Sequence, residues 1–141
     1  MDYKMVVLDL DDTLLDKNHR VSARTKRVLN ELQKRGIEVI IATGRMHCSA
    51  EPYIGIIGLS GMIITYNGAY IKDISTDSLF YHQPIDINVA KNIIQEADAA
   101  GLHINLYIDD RLFVKELNEY CKIYEDITGI KSEAVGNLDE F

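Results

Sequence analysis

The sequence lacks the features of several common protein classes. Its two cysteines, Cys48 and Cys121, lie far apart and have no partners at metal-ligand spacing, which indicates reduced thiols rather than a disulfide framework. The apolar stretch Met5–Leu8 is interrupted by Asp9 and is too short for a signal-peptide core or a membrane span. These absences favour a cytoplasmic protein.

Positive charge is also scarce. The chain has 15 Lys and Arg residues against 22 Asp and Glu, a net charge of -7, and no basic tract offsets the acidic excess. This balance argues against a surface for nucleic-acid backbones and favours a small ligand or a metal-assisted site. The 141 residues contain no internal repeat or low-complexity linker, and they suffice for one domain with one core.

Strand and helix signals alternate over the first half of the chain. The expected elements are strands at residues 6–8, 37–42 and 62–66, and helices at residues 22–36 and between residues 46 and 59. Ser22 can cap the first helix, Gly36 can close it, and Pro52 fits only the first turn of the second helix. Because the first strand is an unbroken apolar run, we expect a parallel sheet covered by helices on both faces. The predicted fold class is therefore α/β.

The pattern changes after the third strand. Asn67-Gly68 indicates a hairpin, and a new register begins at Pro84. The expected later elements are hairpin strands at residues 69–72 and 79–82, a helix from Asp86 to Gly101, strands at 102–108 and 112–114 around a turn at 109–111, and a helix at 116–128; residues 130–141 carry little signal. The one-sided alternation of residues 102–108 indicates an open-faced sheet. We therefore expect a boundary between residues 1–83 and residues 84–141.

Two carboxylates follow the first predicted strand. Asp9 and Asp11 point the same way because side chains alternate along a strand, while Leu10 faces the opposite side. The carboxyl edge of a parallel sheet is where such folds bind ligands. The chemistry that fits is covalent phosphoryl transfer, in which Asp9 attacks phosphorus while Asp11 protonates the leaving oxygen and then activates water. Mg²⁺ would offset the repulsion between carboxylate and phosphate.

Other interpretations of this acidic segment exist. A solvated acidic turn is the simplest, although a carboxylate pair directly after a buried strand has to be neutralised by a partner. A calcium-binding EF-hand loop is excluded, because counting from Asp9 the required glycine is Leu14 and the bidentate acid is Arg20. A receiver-like phosphoacceptor module, which also combines acidic strand ends with a threonine, would carry a long-lived phosphoryl group on Asp9.

Polar groups also follow the second and third strands. Thr43, Gly44 and Arg45 could hold phosphoryl oxygens at a strand-to-helix junction, although a threonine and a glycine there are often simple turn residues. Asn67 belongs either to a hairpin turn or to a polar contact beside the same pocket. The histidines lack ligand spacing, and we place none of them in the site: His19, His47, His82 and His103.

Three segments carry a family resemblance. Residues 9–15, Asp-Leu-Asp-Asp-Thr-Leu-Leu, resemble motif I of the haloacid dehalogenase superfamily, and residues 42–45, Ala-Thr-Gly-Arg, resemble its motif II. Residues 64–69, Ile-Thr-Tyr-Asn-Gly-Ala, are similar to a segment typical of Cof-like phosphatases, which have a type IIB cap. The resemblance implies the N-terminal half of a Rossmann-like core, followed by the start of an α+β cap inserted after the third strand and its hairpin.

The resemblance also implies an activity and a set of roles. The activity is Mg²⁺-dependent hydrolysis of small phosphorylated metabolites through an aspartyl-phosphate intermediate, with Asp9 as nucleophile and Asp11 as general acid/base. The Asp9 carboxylate and the Asp11 main-chain carbonyl would bind Mg²⁺. Phosphate contacts are implied for the amides near Leu10 and Gly44 and for the side chain of Thr43, and more weakly for Arg45 and Asn67.

The sequence departs from the family pattern in its second half. Relatives supply a lysine and a second acidic cluster after the cap, and neither is found here; Asp109-Asp110 is a compact candidate substitute. The chain would then stop inside the cap, and the first strand would be an exposed edge open to homodimerisation. Two hypotheses follow. The chain is a phosphatase, or it is a catalytically incomplete fragment that keeps affinity for Mg²⁺ and phosphate.

Overall fold

The structure is a computed structural model that describes residues 3–141. The chain divides into two compact units, Met1–Gln83 and Pro84–Phe141. Among the described residues, no helix combines the length and the apolar character needed to cross a membrane.

The first unit is a five-stranded sheet with two helices. Its elements are β1 (Met5–Leu8), α1 (Ala23–Lys34), β2 (Glu38–Ala42), α2 (His47–Ile57), β3 (Met62–Thr65), β4 (Tyr70–Asp73) and β5 (Ser78–His82). The strand order is β1-β2-β3-β4-β5, with β1, β2 and β3 parallel and β4 and β5 added as antiparallel hairpins. The predicted α/β class and its parallel sheet are confirmed.

Local sequence signals explain the first helix. Ser22 is the N-cap of α1, and its hydroxyl accepts a hydrogen bond from the Thr25 amide at 3.0 Å. Leu29 is buried on the inner face of this helix, and Gly36 adopts a positive φ two residues after the helix ends. Strand β2 supplies the centre of the core with Val39 and Ile41. The core therefore lies where α1 and the middle of the sheet bury their apolar side chains.

Strand β1 differs from the expectation. It lies at the edge of the sheet, where among residues 3–141 it pairs only with β2, and its residues alternate between exposed and half-buried. Met5 and Val7 remain exposed, whereas Leu8 packs against the core. The prediction that helices cover both faces of this strand is wrong for the described part of the first unit, in which no element covers the face that carries Met5 and Val7.

Helix α2 holds a second difference. Pro52 lies inside the helix rather than in its first turn, because the helix begins at His47 with Met46 as N-cap. Gly58 ends α2 in the left-handed conformation with φ 81°. The packing of Ala50 and Ile54 into the core outweighs the backbone hydrogen bond that a proline removes.

The second unit combines two helices with a three-stranded sheet. Its elements are α3 (Ile87–Ala99), β6 (Leu106–Ile108), β7 (Arg111–Val114), α4 (Glu119–Thr128) and β8 (Ser132–Ala134). Asp86 caps α3 as predicted, and Asp109 and Asp110, both with positive φ, form the two-residue turn between β6 and β7. Strand β7 pairs antiparallel with β6 and parallel with β8.

Two predicted boundaries in this unit are wrong, and one strand was not predicted. Strand β6 starts at Leu106, not at residue 102. Helix α4 starts at Glu119, not at residue 116, because the Asn118 side chain caps it by accepting from the amides of Tyr120 and Cys121. Strand β8 was missed, because Ser-Glu-Ala has little strand propensity and its pairing with β7 creates the strand.

Glu125 on α4 gives a pH-dependent prediction. Hydrogen bonds from Lys131 and from the Ser132 amide lower the pKa of Glu125 from 4.5 to about 2. Since the folded pKa is lowered, the stabilisation is present above pH 4.5 and is lost as the pH falls toward 2. We expect Glu125→Gln to lower the melting temperature at pH 7 and to lose this difference in acid. Thermal unfolding at several pH values measures it, and a difference independent of pH would contradict the assignment.

Candidate active site

The predicted site residues follow three neighbouring parallel strands. Asp9 comes directly after β1, Thr43 directly after β2, and Tyr66 directly after β3. Because β1, β2 and β3 are parallel, these three positions lie at one edge of the sheet.

The Asp9–Leu15 segment is held by its apolar residues. Leu10 is fully buried, Leu14 and Leu15 are also buried, and the Leu15 amide donates to the Leu10 carbonyl at 2.9 Å. Asp9 and Asp11 have extended backbones, while Asp12 is left-handed with φ 53°. Asp9 is exposed and Asp11 is partly exposed. The leucines therefore anchor the loop in the core and leave both carboxylates on the outside.

A bidentate ion pair joins the first two strand ends. Arg45 donates through Nε to Asp11 Oδ2 at 2.8 Å and through Nη2 to Asp11 Oδ1 at 2.7 Å. The hydrogen bonds from Arg45 lower the pKa of Asp11 below its ordinary value, burial opposes the shift, and the charges of Arg45 and His19 add to it. The same pairing raises the pKa of Arg45. Asp11 is thus neutralised by a partner 34 residues away, so the acidic segment is not a freely solvated turn.

Helix α2 supports the guanidinium from the other side. Arg45 Nη1 donates to the Ser49 hydroxyl at 3.2 Å, and the guanidinium carbon lies 5.3 Å from the centre of the Tyr53 ring. Arg45 and Ser49 are both buried. Ser49 and Tyr53 were not predicted as site residues. They lie four residues apart on one face of α2, and Arg45 precedes the N-cap of that helix.

Hydrogen bonds connect the loops after β2 and β3. The Asn67 amide donates to the Thr43 carbonyl at 3.2 Å, and the Tyr66 amide donates to the Arg45 carbonyl at 2.9 Å. The Thr43 hydroxyl is buried and accepts from the Arg45 amide at 3.2 Å. Asn67 is a turn residue, with φ 54°, as one interpretation predicted, and its side chain lies beside Gly44.

Gly44 allows the closest approach between these loops. A Cβ at this position would lie 2.8 Å from Asn67 Oδ1. We expect Gly44→Ala to displace the Asn67 side chain, which changes its side-chain amide NMR signals, and to cost about 1 kcal/mol. Gly55→Ala is the matched control, because a Cβ there meets nothing within 4 Å and should stabilise α2 by about 0.5 kcal/mol. Unchanged Asn67 signals in Gly44→Ala would contradict this close contact.

The histidines and the later acidic pair have different surroundings. His19 Nδ1 lies 3.9 Å from Asp11 Oδ1. This exposed histidine therefore borders the site, although it was not predicted to belong to it. His47 is buried, and within residues 3–141 neither of its ring nitrogens has a hydrogen-bond partner. His82 packs on Tyr70, and His103 bonds Asn105 and Asn118. Asp109 and Asp110 lie in the second unit.

The acidic segment offers oxygen ligands of the kind that Mg²⁺ prefers. In the described part of the chain, no cluster of three or more His, Cys, Asp or Glu side chains could hold a metal ion. Mg²⁺ needs fewer protein ligands, because water and phosphate oxygens complete its octahedron. The exposed Asp9 carboxylate and the Asp11 carbonyl are hard oxygen donors on one short segment. These residues fit part of a Mg²⁺ shell.

Comparisons with known proteins agree with these motifs. The sequence model of one family, described as haloacid dehalogenase-like hydrolase, matches residues 6–139. Phosphatase YwpJ of Bacillus subtilis is 29% identical over 113 residues, which are 80% of this chain and 39% of YwpJ. The chain spans half or less of the length of the curated relatives that it matches.

Solved structures share the fold. A haloacid dehalogenase-like hydrolase from Bacteroides thetaiotaomicron superposes with a TM-score of 0.85 at 24% identity, over 95% of this chain and 52% of that one. A sugar phosphatase of subclass IIB of the same superfamily gives a TM-score of 0.79 at 24% identity, over 93% of this chain and 52% of that one. At these identities the likeness is one of fold.

Proposed function

The chain belongs to the haloacid dehalogenase-like hydrolase family, and from this premise we propose that it carries half of the active site of a Mg²⁺-dependent phosphatase for small phosphorylated metabolites. The observation that carries the proposal is the meeting of three loops at one sheet edge. Asp11 forms an ion pair with Arg45, and the Asn67 amide donates a hydrogen bond to the Thr43 carbonyl. The similarity to phosphatase YwpJ and to a sugar phosphatase supports this substrate class.

The reaction divides between two carboxylates. An Asp9 oxygen forms a bond to phosphorus as the bond to the ester oxygen breaks. Asp11 gives a proton to that oxygen, which requires a protonated Asp11 with one oxygen released from the Arg45 fork. In the second step water attacks phosphorus, Asp11 takes a proton from the water, and phosphate leaves with Asp9 restored. An exposed Asp9 is accessible to a substrate, and a partly exposed Asp11 on the same segment can reach the same phosphoryl group.

Phosphate and metal ligands come from the same loops. The amides of Leu10 and Gly44 and the hydroxyl of Thr43 would hold phosphoryl oxygens, with Asn67 beside them. Asp9 and the Asp11 carbonyl would hold Mg²⁺, which when bound reduces the repulsion between the nucleophile and the phosphate.

The second unit is proposed to be part of the cap. Residues 84–141 form their own sheet and helices, and they follow directly on the β4–β5 hairpin. A family match that continues through residue 139 supports the same origin for both units. In this proposal residues 1–83 supply chemistry and residues 84–141 contribute to substrate choice.

A second candidate function is phosphate and Mg²⁺ binding without turnover. It concerns these 141 residues by themselves, in which the family's later lysine and second acidic cluster are not found. Losing several catalytic groups that act together should leave little activity.

One experiment separates the two functions. Phosphate release from a panel of sugar and nucleotide monophosphates is measured with Mg²⁺ and with EDTA, for the 141-residue chain and for a longer polypeptide that adds the second half of a relative such as YwpJ. Turnover by the chain alone would remove the binding-only function. Turnover only in the longer polypeptide supports the half-site, and no turnover in either would contradict the phosphatase proposal.

We further propose that a second copy of the chain pairs with the β1 edge. Val7 is 52% exposed on this edge strand, and so is Leu79 on β5, the opposite edge. Lysine on an edge strand opposes pairing between sheets. We expect Val7→Lys to convert a dimer to a monomer in light scattering and Leu79→Lys to leave the dimer intact. A monomeric wild-type chain, or equal effects of the two variants, would contradict pairing through β1.

A further inference from the structure

Each of the three nitrogens of the Arg45 guanidinium donates to a protein partner, which uses three of its five N–H groups. Nε and Nη2 form a fork on the two oxygens of Asp11, and Nη1 donates to Ser49. The side chain is only 6% exposed, and its charge lies over the Tyr53 ring. To reach a phosphoryl oxygen with this fork, Arg45 would have to give up a bidentate carboxylate pair, the geometry for which a guanidinium is best suited.

Asp11 depends on this contact for its orientation. Its side chain is 39% exposed, and the other ionic neighbour within 4 Å among the described residues is His19, at 3.9 Å. The residue that follows, Asp12, is left-handed, so the backbone turns away directly after Asp11. An exposed carboxylate on such a loop samples several rotamers unless a partner selects one.

The support for Arg45 is independent of Asp11. Ser49 and Tyr53 follow Arg45 by four and eight residues on helix α2, and Ser49 is buried. The guanidinium is therefore held by contacts with helix α2 that do not involve Asp11, and the Asp11 carboxylate binds to nitrogens that these contacts position.

We propose that Arg45, in the loop before helix α2, is a positioning residue that fixes the Asp11 carboxylate, and that it is not a phosphate ligand. This assignment replaces the phosphate contact expected for Arg45 from the family resemblance. The positioning role depends on the proposed function in one respect only, which is the role of Asp11 as acid and base. The side chain of Arg45 then links Ser49 of helix α2 to the carboxylate of Asp11.

The orientation of Asp11 can be measured directly. NMR couplings of the Asp11 carboxyl carbon report whether its χ1 angle occupies one rotamer or averages over several. We expect one rotamer in the wild-type chain and averaging in Arg45→Gln, with only partial recovery in Arg45→Lys, which restores the charge but not the fork. Arg35→Gln is the matched control, since Arg35 pairs with Glu31 on the surface of α1 and should leave Asp11 unchanged. A single Asp11 rotamer in Arg45→Gln would overturn the proposal.

Phosphate affinity tests the other half of the statement. Inorganic phosphate is titrated in the presence of Mg²⁺ and followed by calorimetry. We expect Thr43→Val to weaken binding about tenfold, the value of one hydrogen bond to a charged group, and Arg45→Gln to change it less than about threefold. A loss of about tenfold or more in Arg45→Gln would make Arg45 a phosphate ligand. If the wild-type chain binds no phosphate, the proposed function fails, while the Asp11 rotamer still decides the positioning role.

Discussion

Replacing Asp9 with asparagine is expected to reduce phosphate release by at least about 10³-fold, because the amide cannot act as the nucleophile that forms the phosphorus–oxygen bond. The measurement is the rate of phosphate release, in the chain or in the longer polypeptide, whichever turns over. Asp9 is exposed and does not contribute to the core, so its replacement should leave the melting temperature nearly unchanged.

Asp12→Asn is the matched control for this loss. Asp12 is exposed and lies on the same segment, and its left-handed backbone is one that asparagine tolerates well. The variant removes the same charge from the same loop, and we expect it to keep the wild-type rate. Equal losses in the two variants would mean that loop charge, and not a nucleophile, determines the rate.

Leu10→Ala is expected to produce the largest loss of stability. Leu10 lies between Asp9 and Asp11 in the sequence. It is fully buried and belongs to the core cluster with Leu14 and Leu29. Removing three buried carbons from such a site costs about 2–5 kcal/mol, and the loop that carries Asp9 and Asp11 loses its anchor. Urea unfolding followed by circular dichroism measures the change in the free energy of unfolding.

An exposed leucine provides the comparison. Leu79 on β5 is 52% exposed, so Leu79→Ala should change the free energy of unfolding by less than about 0.5 kcal/mol. A Leu10→Ala variant as stable as Leu79→Ala would contradict the role of Leu10 as the anchor of the acidic loop.

Much of the first unit could be predicted from local sequence. The apolar run before Asp9, the Ser22 cap and the Asn67-Gly68 turn each set a backbone conformation through nearby residues, and each has the predicted position. The carboxyl ends of parallel strands then bring Asp11, Arg45 and Asn67 toward one edge without further information.

What could not be predicted depends on distant contacts. The fork between Arg45 and Asp11 joins residues 34 positions apart, and no local pattern distinguishes it from a contact with phosphate. Whether a face of β1 is exposed depends on which elements from elsewhere in the chain pack beside it. Strand β8 forms because it pairs with β7. The interior position of Pro52 reflects core packing that overrides backbone preference.

The strand order of the first unit has a consequence for biosynthesis. In the sheet β1-β2-β3-β4-β5, every strand after β1 pairs with the one made just before it. Each new strand thus joins a partner that is already present, so loop closures are short and each strand can join as it leaves the ribosome. The acidic loop and its arginine clamp would thus be assembled co-translationally, before the second unit has been synthesised.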